Sequence, residues 1–140
     1  MLKLQTLTVN DKTLFQVTLP DGTERTGPAG EILGVLRRAL RAEQADMGGK
    51  LAMARWWQDA ARNRVLYGAG SGEQDTRNAA QNEAAAAAIA KAITAIQAAI
   101  AEVEQFTIAC DTVALLGQSQ AAIAQAVAAL PPTPEEHEHV

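Results

Sequence analysis

Hydrophobic positions change their period along this chain. Across residues 2–26 they alternate with polar ones: Phe15, Val17 and Leu19 flank Gln16 and Thr18, the period of a half-buried strand. Leu2 and Leu4 fall in one register and Leu7 and Val9 in the other, so a bulge near Gln5 and Thr6 is predicted to bring both pairs to one face. Asn10-Asp11-Lys12 and Pro20-Asp21-Gly22 supply turns; in the second, proline presets φ and glycine accepts a positive φ. Thr23 to Thr26 complete a three-strand meander, which needs a helix or a partner over its apolar face.

From Glu31 to Tyr67 the period becomes helical, with Ile32, Leu33, Leu36, Leu40, Met47, Leu51, Ala54, Ala61 and Val65 along an approximate stripe. Pro28 suits the first turn of this helix. Gly48-Gly49 interrupts it, and two glycines in a helix interior cost about 2 kcal/mol relative to alanine, so a kink or break is expected there. Gly68 to Gly72 is the main punctuation: Gly68 closes the first helix, and Ser71 with Gln74 has capping-box spacing for the next. The second helix is predicted from about Glu73 to Phe106. Within it Ile89, Ile93, Ile96, Ile100 and Val103 step by four, three, four and three residues, the ladder of a helix that lies against another helix.

Thr107-Ile108 and Asp111-Thr112 predict a break, with Asp111 capping a third helix whose own ladder is Val113, Leu116, Gln120, Ile123, Val127 and Leu130. The two ladders are one residue out of phase, which in a continuous helix amounts to a three-residue stammer. Pro131-Pro132 ends the helix, and residues 131–140 read as a disordered acidic tail. The predicted fold class is mainly α with a small N-terminal β meander (α+β), its long helices forming a bundle or coiled coil. Its segments are the meander (1–27), a basic helix kinked at 48–49 (28–67), a glycine-rich turn (68–72), alanine-rich helices (73–130) and the tail.

Composition sharpens this picture. A chain of 140 residues fits one domain. Aromatics are only 4%, and alanine supplies much of the 48% hydrophobic fraction, which suits long helices in close contact better than a thick core. The net charge of -4 is unevenly spread: residues 31–67 carry seven bases and four acids, residues 68–140 two bases and nine acids. A basic helix and an acidic one attract each other within a bundle or across a subunit contact, and this distribution argues against a nucleic-acid partner. Cys110 is the sole cysteine, which excludes an internal disulfide framework and reads as a small buried hydrophobe in a reducing compartment. The first residues lack the apolar run of a signal peptide, and no stretch is expected to reach the roughly 18 apolar residues of a membrane span. Cytoplasmic synthesis without a membrane partner is the expectation, compatible with later incorporation into a particle that leaves the cell.

Equipment for catalysis is sparse. The histidines, His137 and His139, both lie in the tail, so the predicted folded body has no imidazole for general-base work. The glycine loop is preceded by no strand and followed by no Gly-Lys-Ser/Thr, so it is a turn and not a phosphate cradle. No cofactor, metal or catalytic residue is assigned. Two features point to recognition instead. Isoleucine at both ladder positions favours trimers or higher orders if copies of the helix meet one another, while the same ladder equally serves an antiparallel bundle within one chain. Trp56 and Trp57 cannot share a direction on a helix: one is expected in the core near Leu51 and Ala60, the other exposed, covered by the β meander, or held against a partner with Arg55 and Arg62 close enough to stack on it.

The stretch from Asp75-Thr76-Arg77-Asn78 through the alanine run to Ile93, and on to residue 105, resembles the Ala/Asn/Gln/Glu-rich helices of bacteriophage fibre and other virion structural proteins. That resemblance is compositional. It implies a small β element joined to a trimeric helical shaft, with no catalytic motif. The functional expectation is therefore a non-enzymatic structural or assembly protein. It oligomerises with itself, a trimer being favoured, and with other structural proteins, as a fibre or connector component. The alternative is a small monomeric helical adaptor or inhibitor that binds a protein through Trp56, Trp57 and the flanking arginines.

Overall fold

Strands β1 (Lys3–Val9) and β2 (Lys12–Thr18) are joined by a two-residue turn in which Asn10 and Asp11 take positive φ, 51° and 64°. This is the type I′ geometry whose twist matches that of the flanking strands, and asparagine and aspartate accept it more readily than other side chains. The computed structural model describes residues 1–131, so the expected tail lies, from Pro132 on, outside the described residues. Strand β3 (Glu24–Gly27) pairs antiparallel with β2, and the sheet order is β1-β2-β3. At the second turn the Gly22 N–H donates to the Leu19 carbonyl (2.9 Å) with Gly22 at φ 88°. The Thr23 N–H donates to Asp21 Oδ1 at 2.9 Å and holds that exposed carboxyl below its ordinary pKa. The stabilisation from this bond is present above the ordinary carboxylate range and is lost as pH falls through the lowered value.

The predicted bulge is absent. Lys3↔Thr18 through Val9↔Lys12 pair one for one, because the two-residue turn sets the register of the whole hairpin. Leu4 therefore opposes Val17, and Thr6 opposes Phe15, on the face turned toward the helices, where Phe15 and Val17 are buried. Leu7 and Leu14 oppose each other on the other face, half-buried.

Helix α1 (Ala29–Leu66) starts one residue after Pro28, whose carbonyl accepts from the Ile32 N–H at 3.1 Å. It runs unbroken through Gly48-Gly49. A Cβ at either glycine would meet nothing within 4 Å, while Met47 and Lys50 on either side are half-buried and Ala54 is buried. Packing on both sides of the pair outweighs the local glycine penalty, as tertiary context commonly does. The helix ends as Gly68 predicts. Gly68 sits at φ 67°, its N–H donates to Val65 (3.2 Å), and the Ala69 N–H reaches back to the Arg64 carbonyl (2.7 Å), a Schellman closure.

Helix α2 (Glu73–Ala128) is a single element of 56 residues. The residue before it is Gly72, not Ser71: the Gly72 carbonyl accepts from the Thr76 N–H (2.9 Å) and from Thr76 Oγ1 (3.0 Å). No break occurs at 107–112. Asp111 lies inside the helix, and Thr112 Oγ1 donates to the Ile108 carbonyl at 2.9 Å, so the hydroxyl finds its partner within the helix instead of ending it.

The described residues form two compact units, the first Met1–Glu104 and the second beginning at Gln105. The first is α+β: the meander followed by an antiparallel helical hairpin. Its direction is fixed by pairs whose numbers rise on α1 as they fall on α2: Arg37 to Glu104 (2.9 Å), Gln58 to Glu83 (2.6 Å), and Arg64 to Asp75. The α2 side of the hairpin buries Asp75, Ala79, Ala86, Ile93, Ile96, Ala99 and Val103. On α1 the buried side chains are Ile32, Leu36 and Ala54. Leu33, Leu40, Met47 and Ala61 of the predicted stripe are half-buried, and Leu51 and Val65 lie off it, exposed. The bulky part of the core (Phe15, Val17, Ile32, Leu36, Ile96, Val103) gathers where the sheet covers the hairpin. Toward the turn the interface thins to alanines.

Glycine substitutions separate these effects. Gly48→Ala with Gly49→Ala should raise stability by about 1–2 kcal/mol, since neither methyl meets an obstacle. Gly72→Ala should lower it by about 2–4 kcal/mol, because φ is positive and the new Cβ would lie 2.9 Å from the Ala61 backbone. Urea unfolding followed by circular dichroism checks both.

Candidate interaction surface

The isoleucine ladder turns inward. Ile93, Ile96 and Val103 are buried, and Ile89 and Ile100 are half-buried. The pattern extends past the residues read from sequence: Asp75, Asn82, Ile89, Ile96 and Val103 recur every seven residues, as do Ala79, Ala86, Ile93 and Ile100. All of them are buried or half-buried within the first unit, so the ladder serves the antiparallel hairpin of its own chain.

One charged pair is built into this seam and escapes sequence inspection. Asp75, in the first turn of α2, is only 3% exposed, and Arg64 Nε of α1 donates to its Oδ2. The carboxylate also sits where the helix dipole favours negative charge. A hint lay in the sequence: an acid stands at the heptad position that Asn82 and then Ile89, Ile96 and Val103 hold farther along. The Arg37–Glu104 pair is half-exposed on both sides and contributes little by comparison.

Neither tryptophan enters the core. Trp56 is 58% exposed and Trp57 half-buried, their rings edge to face with centroids 4.7 Å apart. The expected neighbour Leu51 is itself exposed, whereas Lys50, Ala54 and Trp57 are buried or half-buried, so the covered face of α1 runs through those positions and leaves Leu51 off it. Arg62 lies 3.8 Å from Asp59, and Arg55 is exposed. Met53, Trp56 and Ala60 share one flank of α1, the first two exposed, and Tyr67 is exposed just past its end.

The larger exposed apolar surface lies in the second unit. From residue 108 to 131 every described residue is exposed. Ile108, Val113, Leu115, Leu116, Ile123, Val127 and Leu130 stand 58–68% open to solvent. This includes the whole aliphatic ladder predicted for the third helix. Cys110, expected to be buried, is exposed among them, beside Ala109, Val113 and Ala114. The expectation that no stretch approaches a membrane span also needs correction: α2 is long and apolar enough, by length and composition, to cross one. Alanine makes it so, since each methyl raises hydropathy while occupying little of the helix surface.

Among the described residues no group of three or more His, Cys, Asp or Glu is placed to hold a metal ion. The surface depressions are open and shallow. One lies between the Leu19–Thr23 turn and α1 at Val35, Arg38 and Ala39, another over Trp57, Arg64 and the Gly70–Gly72 loop.

Two comparisons test this division into seam and open surface. Ile96→Ala should cost about 2–4 kcal/mol of stability in chemical denaturation, while Ile123→Ala should change the stability of a dilute, unassociated chain by less than about 0.5 kcal/mol. Arg64→Ala, which strips the buried Asp75 carboxylate of its partner, should cost about 1–3 kcal/mol by the same measurement. Comparison with known protein families, with curated proteins and with solved structures finds no match to this chain.

Proposed function

We propose that this protein is a non-enzymatic structural or assembly component that self-associates through its helices, and that its setting is a particle such as a bacteriophage virion, as the character of residues 75–105 implies. The observation that carries the reading is the exposed aliphatic face of residues 108–130. Soluble monomers seldom leave contiguous apolar patches much beyond a few hundred Å² uncovered, and such patches mark association surfaces. The preference for trimers attached to isoleucine at both ladder positions. Those positions are occupied by α1 of the same chain, so the burden of association passes to the second apolar ladder.

A second reading keeps the chain monomeric and gives Trp56 the recognition role, with Arg55, Trp57 and Arg62 beside it, as in an adaptor or inhibitor. Exposed Trp56, with Met53 one turn before it, favours it.

Sedimentation of the full chain from micromolar to millimolar concentration separates the two. Self-association predicts a mass that rises with concentration above 14.8 kDa, and a response abolished by Leu116→Ser with Ile123→Ser while the helical circular dichroism signal persists. A constant 14.8 kDa species with an acrylamide-accessible indole rejects self-association in favour of the adaptor.

A further inference from the structure

We infer that the exposed α2 face is covered by a second copy of this chain, running parallel to the first, with Gln120 of each copy paired to its counterpart. The inference rests on the self-association reading above and adds stoichiometry, direction and register to it.

Val113, Leu116, Gln120, Ile123, Val127 and Leu130 step by three, four, three, four and three residues along α2 and the turn that ends it. In heptad terms Val113, Gln120 and Val127 occupy one seam position, and Leu116, Ile123 and Leu130 the other. Valine at the first position with leucine at two of the three second positions is the pattern of a parallel two-stranded coiled coil. The face away from the stripe carries Gln118 and Gln125, which a pair leaves in water. Thr112, Gly117, Ser119, Ala124 and Ala126, which border the seam, are small and allow two backbones to approach closely.

Gln120 decides the direction. In an antiparallel pair it faces Ile123 of the second copy, and its amide is buried among aliphatic groups without a partner. In a parallel pair it faces Gln120 of the second copy, where each side-chain N–H donates to the other's carbonyl oxygen. A single polar residue at this seam position sets register and strand number in just this manner, because every other alignment buries it unpaired.

Charge and exposure point to the same occupant. No charged residue lies between Asp111 and Glu135, so a charged partner gains no ion pair here, whereas an identical neutral face meets no repulsion. Five of the six stripe residues are 58–68% exposed. With their small neighbours they form one continuous apolar strip along the helix, the kind of patch that soluble monomers seldom leave uncovered.

Cysteine cross-linking of the full chain, with Cys110→Ser to remove the native thiol, tests this. Leu116→Cys should form a disulfide with its own counterpart under mild oxidation, giving a covalent species of twice the chain mass. Gln120→Leu should tighten association by about tenfold or more and scatter the single stoichiometry into several. Three results overturn the inference. If the parent chain self-associates but Leu116→Cys cross-links only when mixed with Val127→Cys, the pair is antiparallel, and the assembly reading survives alone. Co-flotation with phosphatidylcholine vesicles, with no cross-link in their absence, makes the occupant a lipid surface. A parent chain that stays monomeric at all concentrations removes both readings together.

Discussion

The seam between α1 and α2 is the constraint on which the first unit depends. Its residues on α2 follow one heptad pattern from Asp75 to Val103, but they change character along it. Near the glycine turn the seam is Asp75, Ala79, Asn82 and Ala86; nearer the sheet it is Ile89, Ile93, Ile96, Ile100 and Val103. Small residues bring the two helices close where they have only each other to pack against. Larger ones hold them where the meander adds Phe15 and Val17 from a third side. The close contact of Gly72 with Ala61 and the larger burial at Ile96 are two ends of that single gradient.

Polar contacts follow the same division. Arg37–Glu104 and Gln58–Glu83 fasten the rims, and because they stay half-exposed they select the antiparallel arrangement more than they stabilise it. Arg64–Asp75 differs because its carboxylate is buried. Asn82 meets its needs within its own helix by donating to the Asn78 carbonyl at 2.9 Å. The excess of bases on α1 and of acids on α2 thus acts at two specific crossings, Arg37–Glu104 and Arg64–Asp75, as well as through their mean field.

Much of this was legible in the sequence, and what was not has physical causes. The strands, both turns, the glycine closure of α1 and the isoleucine seam follow from period and turn chemistry, which are local. The Gly48-Gly49 break and the break at 107–112 were misread because helix propensity is local, whereas continuity is set by packing on either side or by hydroxyls bonded within the helix. The bulge failed because a two-residue turn dictates register across seven residue pairs, a longer reach than the alternation of Leu4 and Leu7. The burial of the Asp75 carboxylate was hinted at by its heptad position, but its partner Arg64 lies on the other helix, where no spacing rule points to it. On the candidate surface the stripe Val113 to Leu130 was visible as a ladder, but its exposure was not, since periodicity marks a face without saying what covers it.

The gradient along the seam also divides the hairpin by its readiness to open. At the sheet end, separating the helices means exposing isoleucine, valine and phenylalanine together; at the turn end, alanine methyls, the partly covered Trp57, one ion pair and one hydrogen bond are lost. Transient fraying thus begins at the glycine loop and travels toward the sheet, so the loop end gives up its amide hydrogens to solvent first and the strands retain theirs longest.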